Sequence, residues 1–217
     1  MKSLVIFDLD GTLLDTIDDL GTATNYALQQ MGYPEHPLSS YPLMVGNGVT
    51  KLIERALPDE ARTERLVTEA RRHFVDYYDN HCCDATRPYP GIQLLLTELT
   101  GHNVRLAVTS NKYQRAVSKF IAHYFPDIQF KAVLGHHEGV PSKPDPSIVF
   151  EALSLCPTPK SEVLYVGDSG VDMETARRAC IESVGVSWGF RPIRELKAAF
   201  ADHIIDDPAE LLPLIVR

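Results

Sequence analysis

The feature that most constrains this chain is an alternation. Short apolar runs rich in β-branched residues recur along it: SLVIF (3–7), VRLAVT (104–109), AVL (132–134), VLYV (163–166), SVGVSW (183–188) and HII (203–205). Stretches of helical period separate several of them. Ile92, Leu95, Leu96 and Leu99 share one face of a helix over 91–100. Val117, Phe120, Ile121 and Tyr124 do so over 113–125, and Met173, Ala176 and Ala179 over 172–181. Strand, helix, strand in succession predicts an α/β fold, a Rossmann-like parallel sheet with helices on both faces and right-handed crossovers.

Residues 16–85 break that rhythm and read as helices only. One runs from about Asp15 to Met31, a second follows VGNG (45–48) and ends before Pro58, and a third covers 58–80 with Leu66, Ala70, Phe74 and Tyr77 in register. The prolines of RPYPGI (87–92) stop any helix and mark the return to the sheet. The expected organisation is a discontinuous core domain, 1–15 and 86–217, with a helical cap domain, 16–85, inserted after the first strand.

Composition narrows the function. The 217 residues are 44% hydrophobic and 23% charged, as in an ordinary globular chain. The net charge of −8, without a Lys/Arg block, argues against a nucleic-acid surface. A small anion could still bind at a metal ion, a lysine or exposed N–H groups. Cys82, Cys83, Cys156 and Cys180 form no CxxC and read as free thiols of a reducing compartment. No segment reaches the roughly 20 apolar residues of a membrane span. Met1-Lys2-Ser3 leads straight into a strand pattern with no signal peptide. The expected location is cytoplasmic; oligomeric state is not readable.

Acidic residues gather where strands end. In VIFDLDGTLLDT (5–16), Asp8 and Asp10 lie on one side of an extended chain and Leu9 on the other. Two carboxylates so close repel each other unless a cation lies between them. Beyond the carboxyl end of a strand, where α/β ligands bind, hard oxygens suit Mg²⁺ together with a substrate phosphate. VLYVGDSGVD (163–172) brings Asp168 to a strand end and Asp172 to the next helix's first turn, though the helix dipole alone would explain Asp172. LAVTSNK (106–112) places Ser110 and Asn111 at the opening of a helix, an anion seat or a plain N-cap. Lys143 lies between Pro141 and Pro144, which stiffen its loop and can aim it.

Asp8-x-Asp10, Ser110, Lys143 and the GDSGVD of 167–172 are, in order and spacing, similar to the four signature motifs of the haloacid dehalogenase-like hydrolases, and the resemblance spans the chain. Within that family, VGNGVTKLIERAL and FVDYYDNH…RPYPGI resemble the bacterial phosphoglycolate phosphatases. The resemblance implies phosphoryl transfer through an aspartyl-phosphate on a small phosphate ester, which residue chemistry allows. It makes Asp8 the nucleophile and Asp10 the acid, then base, with Gly11 turning the chain and Thr12 orienting Asp10. Mg²⁺ would rest on Asp8, Asp168 and the carbonyl of Asp10, with Asp172 completing its surroundings or orienting Lys143. Ser110, Lys143 and the N–H groups of Leu9 and Asn111 would bind the phosphoryl oxygens. Relatives that cleave carbon–halogen bonds lack an aspartate at the position of Asp10, so its presence favours phosphate esters.

Rival readings are a phosphatase for pyrophosphate, sugar or cofactor phosphates, a hexose-phosphate mutase, a phospho-receiver module and a dead binding domain. The mutases carry an arginine two residues before the position of Lys51, where this chain has Val49; a receiver needs neither the helical insert nor Asp10. All catalytic positions are filled, against the last. In the cap, Gly46, Asn47, Gly48 and Lys51 are expected to meet the rest of the substrate, a helix N-terminus and a lysine favouring a carboxylate. Trp188, Phe190 and Arg191 follow a strand end, where they border the site or simply pack.

Overall fold

The computed structural model describes residues 1–137 and 139–216. Its centre is a six-stranded parallel sheet in the order β5-β4-β1-β6-β7-β8. The strands are β1 (Leu4–Phe7), β4 (Arg105–Tyr113), β5 (Phe130–His136), β6 (Val163–Gly167), β7 (Glu182–Val186) and β8 (His203–Ile205). All four residues of β1 are buried, because helices cover both faces of the sheet. Leu4 and Ile6 pack into one apolar cluster with Ile148 and Val149 of α6 (Ser147–Leu155) and Ala176 of α7 (Gly170–Ala179). Val5 and Phe7 pack into the other, with Leu96 and Leu99 of α4 (Ile92–Gly101) and Val117 and Phe120 of α5 (Gln114–Tyr124). This two-sided burial follows from the period of two along a strand. The fold is the expected α/β, Rossmann-like one. From β1 the sheet grows one way through β4 and β5 and the other way through β6, β7 and β8. β1 therefore lies at the switch point, where ligands bind beyond the strand ends. The short helices α8 (Ile193–Ala198) and α9 (Leu212–Val216) complete the C-terminal part.

Between β1 and β4 the chain forms α1 (Ile17–Gln30), α2 (Gly48–Ala56) and α3 (Glu64–His81). The third helix starts later than its apolar period suggests. A separate 3₁₀ turn takes Asp59–Ala61, and Thr63 Oγ1 then caps the new helix by accepting from the N–H of Leu66 at 3.4 Å. The chain leaves and re-enters the sheet side by side, through an antiparallel ribbon of β2 (Leu14–Asp15) and β3 (Arg87–Pro88). Buried Asp19 of α1 locks this crossing by accepting from the N–H groups of Ala85 (2.9 Å) and Thr86 (2.8 Å). Tyr78 of α3 meets Phe120 of α5 edge to face at 6.4 Å, so the helices share a cluster with the sheet. Among the described residues no helix is long and apolar enough to cross a membrane.

Candidate active site

Asp8 follows β1, Asp168 follows β6, and the capping turn of α7 holds Asp172; these three carboxylates come within 4.8 Å of one another. Lys143 enters from the loop before α6. Its ammonium donates to Asp8 Oδ1 (2.8 Å), Asp172 Oδ1 (2.7 Å), the Tyr165 hydroxyl (3.2 Å) and the Thr109 carbonyl (3.3 Å). The second oxygen of Asp172 accepts from the N–H of Ser169 at 3.2 Å, so both its oxygens are engaged within the protein. Asp168 Oδ2 accepts from the N–H of Phe190 at 2.7 Å. The crowding explains Gly11. Its φ is +86°, and a Cβ there would lie 2.4 Å from Asp168 Oδ2, so a side chain is excluded twice.

Burial pushes the Asp8 carboxyl up to about 7 against the pull of Lys143, with Asp172 adding repulsion. Burial, then Asp172 and Asp8, hold Asp168 well above the usual carboxylate range. Burial would lower Lys143, but Asp172 and Asp8 outweigh it and keep the ammonium charged. Three acids thus face one ammonium, an excess of negative charge that a divalent cation would offset. The donors are hard oxygens at a strand end, and the cluster is of the kind that binds such a cation.

Asp10 stands apart from this cluster. Its Oδ1 accepts from Thr16 Oγ1 (2.7 Å) and Lys112 Nζ (2.9 Å), and its Oδ2 from Lys112 at 3.1 Å. Thr16, not Thr12, orients this carboxylate; the Thr12 hydroxyl is buried without a partner. Lys112 is the residue the sequence reading passed over, although it closes the LAVTSNK motif. The available signal was period two: Ser110 and Lys112 fall on one side of an extended chain.

Ser110 and Asn111 do not open a helix. β4 continues to Tyr113, which pairs with His136 after an irregularity, and α5 starts only at Gln114. Ser110 Oγ accepts from the N–H of Lys112 at 3.2 Å. Asn111 is a brace. Its Oδ1 accepts from the N–H of Lys143 (2.8 Å), and its Nδ2 donates to the carbonyls of Lys143 and Gly46 (both 3.1 Å). Leu9 keeps its side chain in the core, fully buried.

Gly46 and Gly48 line the same cavity from the opposite side, and Asn47 and Lys51 line an adjoining recess with Arg71 and His136. Arginines grip this loop by its carbonyls: Arg191 Nη2 reaches Val45 at 2.8 Å and Arg55 Nη1 reaches Met44 at 2.7 Å. Lys51 is exposed and paired with Glu54. Phe190 and Arg191 do border the cavity, while Trp188 donates to the carbonyl of Thr12 at 3.1 Å. All four cysteines are free.

The buried acid cluster and its lysine lie within the stretch that matches the family model for haloacid dehalogenase-like hydrolases. That model matches residues 5–186, and the chain belongs to this family of hydrolases. Among individual relatives, the chain is 33% identical over 224 residues to the phosphoglycolate phosphatase of Pseudomonas syringae pv. tomato, covering 98% of this chain and 79% of that protein. It is 32% identical over 221 residues to the phosphoglycolate phosphatase of Haemophilus influenzae Rd, covering 98% and 97%. A crystal structure from Lactobacillus delbrueckii subsp. bulgaricus, provisionally assigned as a phosphoglycolate phosphatase, matches with a TM-score of 0.93, at 33% identity over 99% of both chains.

Proposed function

We propose that this chain is a Mg²⁺-dependent phosphatase that hydrolyses 2-phosphoglycolate through an aspartyl-phosphate on Asp8. The observation that carries this reading is the position of Lys143 Nζ, 2.8 Å from Asp8 Oδ1 and 2.7 Å from Asp172 Oδ1. An ammonium there occupies one oxygen of the nucleophile and leaves the other to attack phosphorus. Asp8 would form the new bond to phosphorus as the ester oxygen leaves with a proton from Asp10. Asp10, now a carboxylate, would take a proton from water, whose oxygen displaces Asp8 and releases inorganic phosphate. Lys143, Ser110 and the N–H groups of Leu9 and Asn111 would stabilise charge on the phosphoryl oxygens. Asp8 and Asp168 would hold Mg²⁺ with the Asp10 carbonyl, while Asp172 orients Lys143. The cation, when bound, neutralises charge that builds up in the transfer.

The proposed division is a core of 1–15 and 86–217 and a cap of 16–85, supported by the ribbon that pairs Asp15 with Arg87. The proposed location is cytoplasmic. The cavity is partly open, and its inner space is about 60 Å³, room for several waters at roughly 10–15 Å³ each. Leu20, Val45, Leu52 and Phe74 give its wall an apolar part, which disfavours a hexose bisphosphate with its many hydroxyls. Val49 lines the cavity where a mutase has its arginine, which also disfavours that alternative. Phosphate release from a panel of phosphorylated metabolites, with Mg²⁺ and with chelator, tests the proposal. Turnover in excess chelator removes the cation; a better substrate than 2-phosphoglycolate removes the ester.

A further inference from the structure

We infer that Lys112 and Tyr78 together form the seat for the carboxylate of the leaving group, and so decide which phosphomonoester the site accepts. The inference rests on the reading above, in which Asp10 protonates the ester oxygen. That oxygen must then lie against Asp10, and so must the first atoms of the alcohol. Lys112 Nζ is 2.9 Å and 3.1 Å from the two oxygens of Asp10. A carboxylate one carbon from the ester oxygen reaches this ammonium; a much longer acid passes it.

Lys112 is built as a binding group. Its side chain is 4% exposed, and its ammonium lies 5.0 Å from the ring centres of both Tyr78 and Phe120. Ring faces attract a cation without neutralising it. An ammonium carries three N–H donors, so it can serve a second carboxylate without releasing Asp10.

Tyr78 supplies an independent observation. It comes from α3, its ring lines the same cavity, it is 1% exposed, and its hydroxyl is buried with no hydrogen-bond partner. A buried hydroxyl left unpaired destabilises the fold, so its retention in the cavity wall points to a ligand that completes it. Leu20, Val45, Val49, Leu52 and Phe74 make up much of the surrounding wall. Such a wall suits a methylene and would leave the hydroxyls of a sugar unpaired. Of the other cations near the cavity, Arg191 Nη2 donates to the Val45 carbonyl, Arg55 Nη1 to that of Met44, and exposed Lys51 to Glu54.

The test compares kcat/KM for 2-phosphoglycolate with kcat/KM for ethyl phosphate, which lacks the carboxylate, in the parent, Lys112→Met and Tyr78→Phe with Mg²⁺. The parent is expected to prefer 2-phosphoglycolate. Lys112→Met should lower that ratio on the order of 100-fold, the scale of removing one partner of a desolvated charge pair. Tyr78→Phe should lower it by roughly tenfold, as for one hydrogen bond to a charged group. It should also unfold at or above the parent temperature, because it removes only the unpaired hydroxyl. A preference in the parent that both variants keep, with equal losses on both esters, overturns the seat and leaves the substrate standing. No preference in the parent overturns both.

Discussion

Two lysines, one inside the cavity and one on the adjoining recess, show how differently the two sides of the site are built. At the sheet edge the side chain of Lys143 is 2% exposed and bonds to Asp8 just after β1, Asp172 of α7, Tyr165 of β6 and Thr109 of β4. On the facing helix the side chain of Lys51 is 57% exposed and pairs with Glu54, one turn along. A buried ammonium keeps its charge only if partners from distant parts of the chain converge on it, so its position is fixed by the whole fold. An exposed one is solvated wherever it points. The sheet edge is pre-organised for chemistry through side chains, whereas the facing loop is held through its carbonyls by Arg55 and Arg191.

The largest expected effect belongs to the sheet edge. Asp8→Asn keeps the size of the side chain and removes the nucleophile, so turnover should fall on the order of 10⁴-fold or more. Phosphate release measured with Mg²⁺ checks it, and activity within about tenfold of the parent would assign the nucleophile elsewhere. Lys143→Ala should follow with a loss of kcat on the order of 10²–10³-fold. It also strips Asp8 and Asp172 of their buried counter-charge, at about 3–5 kcal/mol of stability. A change in KM alone would make Lys143 a ground-state contact and place both walls on the same footing.

The acid cluster sets a pH dependence whose sign can be worked out. Asp8 titrates near 7 in the fold, and Asp168 is also raised, against about 3.8 for an unfolded aspartate. The folded chain then binds protons that the unfolded chain has released. The stability this contributes is fully present below about pH 4 and is lost as pH rises through 7. A divalent cation binds the ionised acids, so its stabilisation should grow over the same window. At 100 times its Kd it adds about 2.7 kcal/mol, on the order of 5 °C in melting temperature. Thermal unfolding with and without Mg²⁺, at about pH 5 and about pH 8, should show the larger increment at the higher pH; equal increments would detach the cation from these carboxylates.

How much of this was legible depends on the range of the interactions. Asp8, Asp10 and Asp168 stand out because a buried strand that ends in acids is a local pattern of a few residues. The parallel sheet is legible for the same reason, through runs such as VLYV. Thr16 was missed because the turn at Gly11 decides which hydroxyl comes back to Asp10. Ser110 and Asn111 looked like a helix start because nothing in TSNK reveals that β5 keeps pairing as far as Tyr113. Lys112 was passed over because a lysine near a strand end reads as solvated, and only Tyr78 of α3 and Phe120 of α5 make its place a buried one.

Smaller effects probe the loop side. Arg191→Ala frees the Val45 carbonyl and loosens the loop without touching the acids. It should raise KM by about three- to tenfold, the worth of one hydrogen bond, with kcat within about twofold. A kcat loss as large as that of Lys143→Ala would mean that Arg191 acts on the transferring phosphoryl group and that the two walls share the chemistry.

The smallest effect is expected at Lys51. A helix N-terminus and a lysine at Gly46–Lys51 promise a carboxylate seat when read from sequence. In the fold, α2 starts at Gly48, yet the Lys51 side chain lies in water against Glu54 at the rim of the adjoining recess. A solvated pair of this kind contributes about 0–1 kcal/mol and is screened by salt. Lys51→Ala should therefore change kcat/KM for 2-phosphoglycolate by less than about threefold, and any change should shrink as salt is added, as expected of long-range attraction of an anionic substrate. Gly48→Ala offers the contrast at the same loop. Its φ of +80° disfavours any side chain, and a Cβ there would sit 3.3 Å from the Asn111 carbonyl, so it disturbs the backbone rather than a charge. If Lys51→Ala instead removes the preference over ethyl phosphate at every salt concentration, Lys51 reaches into the site when substrate binds, and the contrast between the two lysines belongs to the ligand-free fold alone.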